Sequence, residues 1–211
     1  MEEIVLFDLD GTLWDTSICT YEFVKDYLKN NNYPYEVSLE VVKNNMGNNL
    51  SGCAEGYFPQ VEKKKREELL LKIFQYEVDR LNEYQKSDII YDNVYEVLKD
   101  LSKKYKLGIV SNCSTEEYIE NFLRISKTKE FVTDYIPASK YNLTKGQAMK
   151  ELMKRTHCMK GIYIGDTKKD QDESNKANIP FVYAEYGFGK IENKYKIKSI
   201  KELPALLERI I

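Results

Sequence analysis

Phe7-Asp8-Leu9-Asp10-Gly11-Thr12-Leu13 closes the first apolar run of the chain, and its reading decides the fold. Ile4, Val5, Leu6 and Phe7 are continuous, apolar and β-prone, which predicts a strand buried on both faces of a parallel sheet. Asp8 and Asp10 then alternate just beyond it, where open α/β sheets place their chemistry. Gly11 lets the chain turn away at once. Two carboxylates held this close repel each other unless positive charge sits between them, and a divalent cation is the usual answer. A solvated turn with an Asx motif at Asp10-Gly11 would account for the short motif equally well. The rest of the chain has to decide.

Working outward, Asp15-Thr16-Ser17 can cap a helix with Ile18, Tyr21, Val24 and Leu28 at helical spacing, and Asn30-Asn31-Asn32 stops it. A short helix with Val41 and Val42 follows, then a loop or broken helix at Met46–Gly52. A long amphipathic helix spans Lys63 to Gln85, its stripe read as Leu71, Phe74, Val78 and Leu81. No alternating strand pattern occurs between Asp15 and Ser87, so about seventy helical residues separate the first two strands, far more than a crossover needs. From Asp88 the pattern alternates. Helices are predicted around Val94–Leu101, after a Ser114-Thr115-Glu116-Glu117 capping box, and after Leu143-Thr144-Lys145-Gly146. Strands are predicted at 105–111, 131–136, 161–166 and 180–183, and Pro204 suits the first turn of a last helix. This order predicts an α/β fold, a doubly wound parallel sheet of Rossmann-like type, with residues 1–14 and 88–211 as core and 15–87 as an inserted helical cap.

Composition bounds the function. The chain has 211 residues, 42% hydrophobic and 31% charged, with net charge −2. That suits one core with a smaller insertion and offers no basic face for nucleic acid. Glu62-Lys63-Lys64-Lys65-Arg66-Glu67-Glu68 reads as a solvated helix start. Met1-Glu2-Glu3 before a strand is unlike a signal peptide, and no apolar run reaches membrane-span length, so a cytoplasmic protein with no membrane partner is expected. Cys19, Cys53, Cys113 and Cys158 lack metal or disulfide spacing and read as reduced thiols. His157, the single histidine, leaves no material for a Ser-His-Asp triad.

Three predicted strand ends carry polar groups: Asp8 and Asp10, then Ser111 and Asn112, then Asp166 and Asp170, with Lys145 opening a helix between the last two. In a parallel sheet these ends share one edge. Carboxylate nucleophile, Mg²⁺ between acids, and a lysine and hydroxyl for phosphate oxygens make the chemical set of phosphoryl transfer. With its motifs Asp8-Leu9-Asp10-Gly11-Thr12, Ser111-Asn112, Lys145 and Gly165-Asp166-Thr167-Lys168-Lys169-Asp170 in order, the chain resembles the haloacid dehalogenase superfamily of phosphohydrolases, in the subgroup with a helical cap. Asp15 and the loop Tyr186-Gly187-Phe188-Gly189 extend the match to the whole chain.

The resemblance implies Asp8 as nucleophile and Asp10 as general acid, then base. It implies Mg²⁺ on Asp8, Asp166 and the Asp10 carbonyl with Asp170 in support, and Ser111, Asn112 and Lys145 on phosphate. Capped relatives often have Lys-Pro where this chain has Lys145-Gly146, and Lys140 lies close by; Lys145 is preferred because Thr144 can cap the helix it opens. Asn178 replaces a frequent glycine, and asparagine tolerates the left-handed backbone. Asp10 favours attack on phosphorus over the dehalogenating branch, and Lys25, Lys29 and Lys43 have no apolar setting that would make them Schiff-base lysines. The implied reaction is hydrolysis of a small phosphorylated metabolite, phosphoglycolate phosphatase-like, by a monomer or weak homodimer. The alternatives are a β-phosphoglucomutase-like mutase, a 5'-nucleotidase or pyrophosphatase, or an idle phosphate-receiver-like module. Substrate choice is expected in the cap, with Trp14, Gly47 and Asn48 as contacts. Neutral Asn48 and Asn49 do not signal a dianionic partner.

Overall fold

In the computed structural model, which describes residues 3–85 and 87–210, the opening apolar run becomes the centre of the sheet. The strands are β1 (Glu3–Phe7), β2 (Lys106–Ser111), β3 (Asp134–Pro137), β4 (Lys160–Gly165), β5 (Phe181–Ala184) and β6 (Lys196–Ile197). They lie in the order β3-β2-β1-β4-β5-β6, every pair parallel. β1 therefore ends between the ends of β2 and β4, and the Asp8 N–H continues the ladder by donating to the Ile164 carbonyl at 2.8 Å. β6 was not expected; two residues are too few to carry a period.

The helices are α1 (Ser17–Asn30), α2 (Leu39–Asn45), α3 (Leu50–Tyr57), α4 (Lys63–Glu83), α5 (Val94–Leu101), α6 (Glu116–Ser126), α7 (Lys145–Arg155), α8 (Lys168–Ala177) and α9 (Leu203–Ile210). One sheet face (Val5, Phe7, Ile109, Ile164) packs on α5, α6 and α9 through Leu98, Phe122 and Leu207. The other (Ile4, Leu6, Val110, Tyr163) packs on α7 and α8 through Met149, Leu152 and Ala177. Burial on both faces is why the strands read as unbroken apolar runs, each large side chain contributing about 1.5–3 kcal/mol.

α1 to α4 build a separate cluster around Val24, Leu28, Val42, Phe58, Leu70 and Ile73. The chain enters and leaves this segment through one neck. Trp14 and Ile90 form an antiparallel bridge, the Asp15 N–H donates to the Ile89 carbonyl at 2.7 Å, and the Tyr91 N–H to the Leu13 carbonyl at 3.2 Å.

Two helical stripes match their sequence reading at Val24, Leu28, Val78 and Leu81, which are buried, and depart from it in their N-terminal halves. Ile18 is 62% exposed and Leu71 45% exposed, whereas Thr20 on α1 and Glu77 on α4 are buried. A polar residue on the buried face shifts the apolar period, and these two meet each other: the Thr20 hydroxyl donates to Glu77 Oε1. The capping box expected at Ser114–Glu117 does not form. Thr115 is the N-cap of α6 without a side-chain cap bond, its hydroxyl has no partner, and Ser114 and Thr115 line a cavity instead. Thr144 does cap α7, reciprocally with Gln147, and Asn178 is left-handed at φ 56°.

Candidate active site

The carboxylates of Asp8, Asp166 and Asp170 come within 4.8 Å of one another, all buried, at the ends of β1 and β4. Lys145, the first residue of α7, reaches in between them: its Nζ is 2.7 Å from Asp8 Oδ1 and 2.6 Å from Asp170 Oδ1. Lys140 is elsewhere, paired with Glu116 at 3.1 Å and 40% exposed. Asp170 Oδ1 also accepts from Tyr163 Oη at 3.2 Å, and its Oδ2 accepts the Thr167 N–H at 3.0 Å and the Thr167 hydroxyl, so the same residue caps α8. The Phe188 N–H donates to Asp166 Oδ2 at 2.6 Å.

Two oxygens are left over. Asp8 Oδ2 and Asp166 Oδ1 are buried without a partner. Three carboxylates face a single ammonium. Burial pushes Asp8 well up, Asp170 adds to the rise and Lys145 opposes it. Burial and then Asp170 push Asp166 up to about 7, against the Phe188 N–H. Asp170 is held below the ordinary range although burial raises it, because Lys145 and Thr167 outweigh the burial. Burial alone would lower Lys145, but Asp170 and Asp8 hold it above its usual value. Buried, oxygen-only and short of positive charge, the cluster has the donor chemistry of a hard divalent cation, and the orphaned oxygens fit one.

Small residues let the backbone close on this cluster. At Gly11 (φ +79°) a Cβ would sit 2.2 Å from Asp166 Oδ2, and at Gly187 2.3 Å from Asp166 Cβ and 2.4 Å from the Gly11 carbonyl. Neither position has room for any side chain.

Asp10 stands apart from the lysine. The Trp14 indole N–H donates to Asp10 Oδ1 at 2.8 Å and Tyr118 Oη at 2.9 Å, while Thr16 Oγ1 lies 3.3 Å from that same oxygen and 3.1 Å from Tyr118 Oη. Asp10 Oδ2 takes none of these bonds. Burial raises the Asp10 carboxyl, with the Tyr118 and Trp14 bonds opposing the rise.

The expected substrate contacts divide. Trp14 is corrected: it is fully buried against Tyr118 and Phe122 and supports Asp10. Asn112, expected on phosphate, lines the cavity beside Ser111. Its side-chain amide donates to the Gly47 carbonyl at 2.9 Å, which makes it a tie to the α2–α3 turn. Gly47 and Asn48 line a cavity of about 70 Å³ together with Asp10, Ser111, Tyr57 and Glu77, and Lys169 donates to Asn48 Oδ1. Buried Ser111 accepts the Cys113 N–H at 3.3 Å. The parts that Thr16, Tyr118, Tyr163, Phe188, Thr20 and Glu77 play around the site are not read from the sequence. Only Glu77 left a signal there, a carboxylate on an apolar stripe.

Glu77 gives a pH test. Burial pushes its carboxyl from 4.5 up to about 7, the Thr20 bond opposing and Asp10 adding. The folded state therefore keeps the proton between these values, so stability is full below the window and falls as pH rises through it, by on the order of 3 kcal/mol. Glu77→Gln is expected to lose less stability than the parent chain between pH 4.5 and 8 in urea unfolding. Equal losses would refute it.

A family model described as haloacid dehalogenase-like hydrolase matches residues 5–184. The chain belongs to the haloacid dehalogenase-like hydrolase family. Among family relatives, pyrophosphatase PpaX of Bacillus cereus is 32% identical over 129 residues, 60% of this chain and only 55% of that protein. The chain thus aligns with about half the length of that relative. Phosphoglycolate phosphatase of Rhodobacter capsulatus is 22% identical over 218 residues, 99% of this chain and 98% of the relative. A haloacid dehalogenase-like hydrolase from Streptococcus pneumoniae superposes with TM-score 0.79 at 20% identity, covering 97% of each chain. A β-phosphoglucomutase from Clostridium difficile gives 0.73 at 20% identity, covering 99% of this chain and 97% of the other. These two family structures speak for the fold alone. No helix among the described residues is long and apolar enough to cross a membrane.

Proposed function

We propose that the chain is a Mg²⁺-dependent phosphatase that hydrolyses a small phosphomonoester through an aspartyl-phosphate. The observation that carries this is the buried Asp8–Asp166–Asp170 cluster with Lys145 bound between two of its members and two carboxylate oxygens unpartnered. Asp8 is the nucleophile. Its attack forms a carboxylate–phosphorus bond and breaks the bond to the ester oxygen, which takes a proton from Asp10. Asp10 then takes a proton from water, whose oxygen attacks phosphorus and frees Asp8. Lys145 and Ser111 hold the remaining phosphate oxygens. Asp8, Asp166 and the Asp10 carbonyl, with Asp170 in support, would hold Mg²⁺, whose charge would offset the repulsion between nucleophile and phosphate.

The donors on Asp10 suit an acid. With Oδ1 occupied by Trp14 and Tyr118, the proton belongs on Oδ2, which keeps it in a single place for delivery. Tyr118→Phe is expected to lower kcat roughly 10- to 100-fold, the worth of a hydrogen bond to a charged group, with KM little changed. An unchanged kcat would remove Tyr118 from this role.

Residues 15–87 act in this reading as a cap over a core of 1–14 and 88–211, excluding water from the phosphoenzyme. The names of the relatives place 2-phosphoglycolate and pyrophosphate on the substrate panel, beside uncharged and amino-alcohol phosphomonoesters. Phosphate release should appear with Mg²⁺ and vanish with EDTA; no Mg²⁺-dependent release from any ester would overturn the reading. Product analysis with a hexose phosphate distinguishes a mutase, which would yield an isomer.

A further inference from the structure

The cavity beside Asp10 is where a leaving group has to sit, because Asp10 would protonate the departing oxygen. Its far wall is polar in an unusual way. Thr20 and Glu77 come from different helices, occupy buried positions where the periods of α1 and α4 call for apolar residues, and bond to each other. Among the described residues Thr20 is the only hydrogen-bond partner of Glu77, and it takes Oε1 alone. The remaining wall is apolar or uncharged, including Tyr57, Phe74 and Val78. Among the described residues no lysine or arginine lines the cavity. The nearby lysines are committed elsewhere, Lys145 to Asp8 and Asp170, Lys169 to Asn48.

Resting on the phosphatase reading, we propose that Glu77, positioned by Thr20, selects the leaving group, and that this is an alcohol bearing a hydroxyl or ammonium donor, not a carboxylate or second phosphate. An anionic leaving group would be buried against an acid with no cation to pair it, which is costly. A donor on the ligand instead satisfies the free oxygen of Glu77. A ligand carboxylate would also require Glu77 to retain a proton; burial, which pushes that carboxyl up to about 7, does not by itself guarantee one at neutral pH.

The experiment is kcat/KM of the full chain with Mg²⁺ on phosphoethanolamine, glycerol 1-phosphate, 2-phosphoglycolate and pyrophosphate, repeated with Glu77→Gln and Thr20→Val. Either donor-bearing ester should exceed both anionic ones at least tenfold. Glu77→Gln should shrink that ratio at least tenfold, by lowering the first pair and raising the second, and Thr20→Val should shift it in the same direction. Preference for phosphoglycolate or pyrophosphate in the parent chain overturns the selection while leaving the phosphatase reading intact. So does an unchanged ratio in a Glu77→Gln protein whose circular dichroism matches the parent. If that variant does not fold, the parent ranking decides. Absence of turnover on every ester overturns the phosphatase reading and this inference with it.

Discussion

Asp8→Asn is expected to reduce phosphate release to background, a loss on the order of 10⁴-fold or more, with the fold retained. The amide has the shape of the carboxylate but cannot attack phosphorus. The surroundings survive the change: the backbone N–H of residue 8 still bonds to the Ile164 carbonyl, and Lys145 keeps Asp170 at 2.6 Å. One acid fewer also relieves repulsion that Asp170 and Asp166 exert on Asp8. The decisive measurement is acid quenching during turnover of a ³²P-labelled ester. The parent chain should carry covalent label and the variant none. Label on Asp8→Asn would move the nucleophile to another residue.

Lys145→Met is expected to cost both activity and stability. Methionine fills much of the volume but leaves Asp8 and Asp170 without their ammonium, and stripping one partner from a buried ion pair costs about 3–5 kcal/mol. For a chain of this length the melting temperature should fall on the order of 10 °C in EDTA. Mg²⁺ should restore part of that loss, since a cation bound among the same carboxylates supplies the missing positive charge. Lys140→Met is the control. Its pair with Glu116 is largely solvated, so a change under about 1 kcal/mol is expected. A Lys145→Met protein that melts with its parent in EDTA would contradict the electrostatic account of the cluster.

The sheet was legible because both faces are buried, so that strands such as Ile4–Phe7 appear as plain apolar runs with chemistry at their ends. The long stretch without strands was equally plain. Within that stretch Val24, Leu28, Val78 and Leu81 were placed correctly, while Ile18 and Leu71 were not, as period arguments assume an apolar buried face and Thr20 and Glu77 break it. Asp8, Asp166, Asp170 and Lys145 could be grouped through the shared strand-end edge. Their supports could not. Tyr118 lies 108 residues from Asp10, and a backbone donor such as the Phe188 N–H has no residue type that betrays it. Trp14 was misjudged because a large aromatic beside a motif suggests ligand contact, whereas its ring is packed and only its N–H is used.

The neck at Trp14 and Ile90 has a consequence for how such a protein diversifies. The helical segment departs and returns at adjacent points. Among the described residues only the end of α4 puts buried side chains, Val78 and Leu81, into the sheet-side core, where Arg124 also bonds to the Leu81 carbonyl. Helices α1–α3 can therefore change without altering the strand register on which the aspartates depend. In the phosphatase reading, a change confined to α1–α3 would then alter selectivity while leaving the reacting aspartates in place, as a tool head is changed on its handle. The joint is also a messenger: Trp14 is hydrogen-bonded to Asp10 on one side and bridged to Ile90 on the other. A swing of the helices about that joint is therefore transmitted to the oxygen of Asp10 that its indole holds.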